Sequence, residues 1–106
     1  MGLVGGKASY DTNGKAREAQ QDPAITLIDV RSADEYAEGH IPGAINVPIL
    51  SIGDIEGVVP DKSARIYVSC QSGKRSDRAI AAMRELGYEN LENIGGISGW
   101  DGPVEK

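Results

Sequence analysis

The chain has 106 residues, enough for one domain with a modest core. Sixteen acidic residues against 11 basic ones leave a formal net charge of −5, which argues against a general nucleic-acid binder or a binder of anionic membranes, since both rely on broad basic surfaces. Hydrophobic residues at 40% and charged residues at 25% match an ordinary globular domain, 14 glycines announce many tight turns, and a single cysteine rules out an internal disulfide or a cysteine-rich zinc site.

Residues 1 to 7, MGLVGGK, are glycine-rich and expected to be loose, with one folded domain over residues 8 to 106. No apolar run reaches membrane length, and the start lacks the charged and apolar regions of a signal peptide. The expected location is therefore the cytoplasm, or the periplasm or exterior if a leader has been removed. Asn13 to Asp22 holds helix formers with a thin apolar stripe and is stopped by Pro23, predicting a short surface helix. Ala24 to Val30, AITLIDV, is a near-continuous apolar run that suits a strand buried on both faces of a parallel sheet.

Ser32 and Glu35 match a capping box, in which each side chain satisfies the other's backbone donor, so a helix is expected through Glu38 and ending at Gly39. Ala44 to Val47 gives a short strand closed by Pro48. The acidic link SIGDIEG, Ser51 to Gly57, carries no pattern that places a helix. Ala64 to Cys70, ARIYVSC, is a second buried strand. After it, Ala79, Ile80, Met83 and Leu86 recur at helical spacing in a helix from Ser76 to Gly87. Asn90 to Ile94 is a last short strand. This alternation implies an α/β fold: an open, mainly parallel central sheet of about five strands with helices on both faces.

Cys70 thus lies where a strand passes into a helix, and in open α/β sheets ligands bind beyond the carboxyl ends of the strands. The following residues Gln71, Ser72, Gly73, Lys74, Arg75 and Ser76 form the candidate loop, whose backbone N–H groups can curl around an anion above Cys70. The thiolate is the nucleophile, so a lowered pKa is needed. A helix terminus contributes about 0.3–1 kcal/mol, against about 1.4 kcal/mol per pKa unit. The remainder is expected from converging loop amides and from the charges of Lys74 and Arg75. Those cations stand at a helix start, where positive charge is unfavourable, so an anion is expected to face Arg75. A lone cysteine is often a buried inert thiol, but the loop and the cations weigh against that here.

The segments LIDVR (Leu27 to Arg31), EYAEGHIPGAINVP (Glu35 to Pro48), CQSGKRS (Cys70 to Ser76) and GGISGW (Gly95 to Trp100) together resemble the single-domain rhodaneses, sulfurtransferases of the rhodanese superfamily. The resemblance runs from about Ala8 to Trp100. It implies a rhodanese-like fold and a thiosulfate sulfurtransferase-type enzyme that needs no cofactor. In that scheme Cys70 takes a sulfane sulfur from a small donor such as thiosulfate, becomes a persulfide, and passes the sulfur to a thiophilic acceptor: cyanide, a thiol or a protein. The resemblance places Gln71 through Arg75 in the loop that holds the sulfur. It makes Asp29 and Arg31 mainly structural support near the site and His40 a histidine that is not the catalytic base. An arginine is common where this chain has Gln71, and the missing charge weakens the case for thiosulfate as physiological donor.

The residues themselves give His40 no companions for a metal site and read it as a hydrogen-bonded structural group; no metal is expected. Trp100 reads as a packing residue more than as part of a pocket mouth. Two other functions compete with sulfur transfer. A sulfur-carrier or partner-binding module would need the same thiolate. A Cys-x5-Arg phosphatase or arsenate reductase would need one more residue than the four that separate Cys70 from Arg75. The partners expected are a small sulfur donor and a thiophilic acceptor, with no nucleic acid and no membrane, and the chain is expected as a monomer or weak dimer.

Overall fold

The computed structural model describes residues 9 to 106, so the loose segment expected over residues 1 to 7 lies outside the described residues. The chain runs α1 (Thr12–Gln21), β1 (Ile25–Asp29), α2 (Ala33–Glu38), β2 (Ile45–Asn46), a 3-10 segment (Ile49–Asp54), α3 (Ile55–Val58), β3 (Arg65–Cys70), α4 (Lys74–Glu85), β4 (Asn90–Gly96) and a closing 3-10 turn (Ile97–Gly99). The sheet is parallel throughout, in the order β2-β1-β3-β4. It has four strands among the described residues, against about five expected. The four apolar runs each supply one strand, and the extended C-terminal residues make only an isolated antiparallel bridge between Glu105 and His40.

The two central strands are buried on both faces, as their continuous apolar character requires. Successive side chains alternate between two cores. Ile28, Val30, Ile66, Val68 and Cys70 face one side, where Ala79 and Met83 of α4 and Ile55 of α3 cover them. Ile25, Leu27 and Tyr67 face the other, against Ala16 of α1 and with Tyr36 of α2 and Trp100 packed at the margin. Each fully buried Ile or Val contributes about 1.5–3 kcal/mol relative to exposure. Cys70 therefore projects into the face that α4 covers, directly beneath the turn joining β3 to α4.

Local chemistry sets the ends of the elements that frame this turn. Ser32 and Glu35 form the expected capping box: Ser32 Oγ accepts from the Glu35 amide at 3.2 Å and Glu35 Oε1 accepts from the Ser32 amide at 3.1 Å. Helix α4 begins at Lys74 instead of Ser76, because Gly73, at a left-handed φ of 107°, lets the chain turn from strand to helix within three residues. The segment after Pro48 is helical, and its 3-10 turns bring Ile49, Ile52 and Ile55 onto one side at three-residue spacing. Ile55 is its completely buried anchor in the α4-side core, with Ile49 and Ile52 partly buried against the same core.

Candidate active site

Cys70 ends β3 and pairs with Gly96 of β4 just after a register shift. A Cβ on Gly96 would collide with the Cys70 carbonyl, so only glycine allows β4 to approach the cysteine backbone this closely. The following turn adds a second tie, with the Ser98 amide donating to the Gln71 carbonyl at 3.1 Å. The GGISGW motif thus forms the floor on which the cysteine loop rests.

The thiol is 2% exposed, yet it is not sealed in hydrocarbon. The Gly73 amide donates to Sγ at 3.0 Å. Ser76, in the first turn of α4, is fully buried and its hydroxyl makes no hydrogen bond of good geometry, although it lies near enough to Sγ to favour negative charge there. Burial pushes the Cys70 thiol up, but the Ser76 hydroxyl together with the amides of Ser76, Gly73 and Ser72 outweighs burial and leaves the pKa below its ordinary value. What this arrangement can do chemically is hold a sulfur anion at the N-terminal end of a helix.

Arg75 reaches across to α2, where its Nη1 and Nη2 donate to Glu35 Oε1 and Oε2 at 2.7 and 3.0 Å. The anion that faces it is this carboxylate of the chain itself. The pairing, with help from the Ser32 amide, holds Glu35 down to about 2, and Arg75 is raised chiefly by Glu35, with the Cys70 charge also within electrostatic reach. Lys74 and Gln71 stay exposed on the outer rim of the loop. Beside Arg75 a cavity of about 240 Å³ opens, lined by Val30, Ser32, Pro48, Ile49 and Leu50 in addition to the guanidinium.

Asp29 and Arg31 form a buried pair at the end of β1. Arg31 Nη2 donates to Asp29 Oδ2 and to the Gly39 carbonyl, at 2.9 and 2.8 Å, so the pair ties the strand end to the end of α2. His40 is stacked on Tyr36 with ring centroids 3.7 Å apart, its Nδ1 2.9 Å from the Tyr36 carbonyl and its Nε2 3.8 Å from Glu105. Among the described residues no three His, Cys, Asp or Glu side chains stand together as metal ligands. Trp100 lies over Arg17, its Nε1 donating to the Pro103 carbonyl at 2.9 Å, which is packing at the domain margin.

The family profile of the Rhodanese-like domain matches residues 12 to 102. The chain belongs to that family. Among curated rhodanese-like relatives, the Thiosulfate sulfurtransferase PspE of Escherichia coli is 39% identical over 71 residues, covering 66% of this chain and 68% of the relative. The Putative sulfur carrier protein YrkF of Bacillus subtilis is 30% identical over 92 residues, 84% of this chain, but the match spans about half of that protein, 48%. A solved structure described as a rhodanese with anions, from E. coli, superposes with a TM-score of 0.71 at 36% identity, covering 77% of this chain and 98% of the other. The α/β rhodanese fold is thereby shown, and the names of the relatives are those of sulfurtransferases and a sulfur carrier.

Around the rhodanese loop, three residues not singled out from the sequence as site residues complete the structure. Glu35, read only as a helix cap, is also the partner of Arg75, 40 positions away. Asn93 of β4 donates its amide to the Gly73 carbonyl and to Asp77 Oδ1, both at 2.8 Å, and accepts from the Gly95 amide at 2.9 Å. Tyr10 lies against Gly73. The only sequence signal for Asn93 was a side chain with both donors and acceptors two residues before the double glycine.

Proposed function

We propose that the protein is a sulfurtransferase that carries a sulfane sulfur on Cys70. The Cys70 thiolate attacks the sulfane sulfur of the donor; a new S–S bond forms while the donor's S–S bond breaks, and with thiosulfate the electron pair departs on sulfite. A nucleophilic acceptor, whether cyanide, a thiol or a protein thiol, then attacks the outer sulfur, and Cys70 leaves as thiolate. The sequence of steps needs no cofactor and no outside oxidant.

The observation that carries this reading is the Gly73 amide directed at Sγ at 3.0 Å, within a loop whose other amides also favour the charged sulfur. The same amides can stabilise the outer sulfur once the persulfide has formed. A second reading, delivery of the persulfide to a docked protein without turnover on small donors, is favoured by the similarity to a protein named as a putative sulfur carrier.

Intact mass spectrometry after incubation with thiosulfate tests the proposal. A gain of one sulfur atom, removed by cyanide and missing in Cys70→Ser, is expected. No gain in the wild type with any sulfane donor would overturn it. A gain that a protein thiol removes faster than cyanide does would favour the carrier reading.

A further inference from the structure

The loop that bears the nucleophile carries two cations in its sequence, yet little net positive charge is available to an incoming donor. Arg75 is held by two charge-assisted hydrogen bonds to Glu35, with side-chain exposures of 28% and 36%. Glu35 is held well below the usual carboxylate range, so the pair stays ionised and mutually neutralised at any physiological pH. Asp29 and Arg31 cancel likewise beneath the loop. Gln71 brings no charge, and the Lys74 ammonium is exposed within one turn of the Asp77 carboxylate on the same helix. The whole chain carries −5.

The surface adjoining Arg75 is the opposite of an anion site. Four of the six residues lining its cavity are apolar, and Leu50 at its edge is 98% exposed. Apart from the exposed Lys74 ammonium, a thiosulfate dianion finds no uncompensated positive charge on the loop and no use for this wall. A donor whose sulfane sulfur is attached through a carbon-bearing group has one negative charge at most near the reacting sulfur and can lay its organic part against Pro48, Ile49 and Leu50.

Resting on the reading of Cys70 as a sulfur acceptor, we infer that the Glu35–Arg75 pair sets the donor class: organic persulfides and thiosulfonates in preference to thiosulfate, with Glu35 as the specificity-determining residue. For each donor the chemistry balances in the same way: the thiolate takes the outer sulfur, and sulfite leaves from thiosulfate, a sulfinate from a thiosulfonate and a thiolate from an organic persulfide.

The experiment measures second-order rates of Cys70 persulfide formation from thiosulfate and from benzenethiosulfonate by quenched mass spectrometry. Glu35→Gln keeps a capping acceptor for the Ser32 amide while removing the charge that neutralises Arg75. It is expected to raise the thiosulfate rate about tenfold and the benzenethiosulfonate rate about threefold or less, because the dianion gains twice the Coulomb energy. Leu50→Ser is expected to lower the benzenethiosulfonate rate relative to the thiosulfate rate by about threefold or more. In the unaltered protein, thiosulfate loading is expected to rise from low to physiological ionic strength as repulsion by the acidic chain is screened. Equal changes for both donors in Glu35→Gln, or thiosulfate loading that falls with salt in the unaltered protein, would overturn the inference while leaving sulfur transfer standing. Failure of the unaltered protein to load from either donor would overturn both.

Discussion

The ring of Tyr10 occupies the space that a side chain on Gly73 would need: a Cβ there would stand 2.8 Å from Tyr10 Cε2 and Oη. Gly73 also holds a φ of 107°, a region that side-chain-bearing residues rarely adopt. Gly73→Ala is therefore expected to lower stability by about 1–3 kcal/mol, from torsion and overpacking together. Adding Tyr10→Ala should return the packing part and leave the torsional part. Denaturant unfolding of the single and double variants separates the two.

Asn93 binds the loop from below through the Gly73 carbonyl and Asp77. Asn93→Ala leaves these acceptors short of a donor and strips the Gly95 amide of its acceptor, at about 1–3 kcal/mol. Because Gly73 is then less firmly aimed, the alkylation rate of Cys70 at neutral pH should also fall, which a purely structural role far from the thiol would not cause. Iodoacetamide kinetics beside thermal unfolding check both effects.

Asp29 and Arg31 show side-chain exposures of only 4% and 5%. Arg31→Met strands a buried carboxylate and is expected to cost about 3–5 kcal/mol. The double change Asp29→Asn with Arg31→Met should cost less than Arg31→Met alone, since no charge is left unpaired. Chemical denaturation of the three proteins gives the comparison.

Glu35 titrates near 2 in the folded protein against 4.5 for its free carboxyl. A depressed folded pKa contributes stability that is present above the unfolded value and lost as pH falls through the folded one. The stability gap between the wild type and Glu35→Gln should therefore be full above pH 4.5 and close toward pH 2. Partial exposure keeps that gap small. Equilibrium unfolding at a series of acidic pH values measures it.

The elements that place the nucleophile were legible because their signals are local. The apolar runs of β1 and β3, the Ser32 and Glu35 cap, and the spacing of Ala79 and Met83 each act over a few residues, and the structure shows all of them. The segment from Ile49 to Val58 was not legible: most of it is 3-10, so Ile49, Ile52 and Ile55 recur at a period of three instead of the α-helical one, and Gly53 and Gly57 interrupt the helix formers. The partner of Arg75 and the contacts of Tyr10 with Asn93 and Gly73 were hidden for another reason. They join residues 40 and 83 positions apart, or depend on the space left by a missing side chain. Local pattern located the cysteine, but the charge state of its surroundings emerged only from the assembled sheet.

The most direct measurement is the pH dependence of Cys70 alkylation in the wild type and in Ser76→Ala. The midpoint is expected below that of a free cysteine, and Ser76→Ala should move it upward by removing the hydroxyl that favours the charged sulfur. A wild-type midpoint at or above the free-cysteine value would contradict the picture of a thiolate held ready in a cradle of amides.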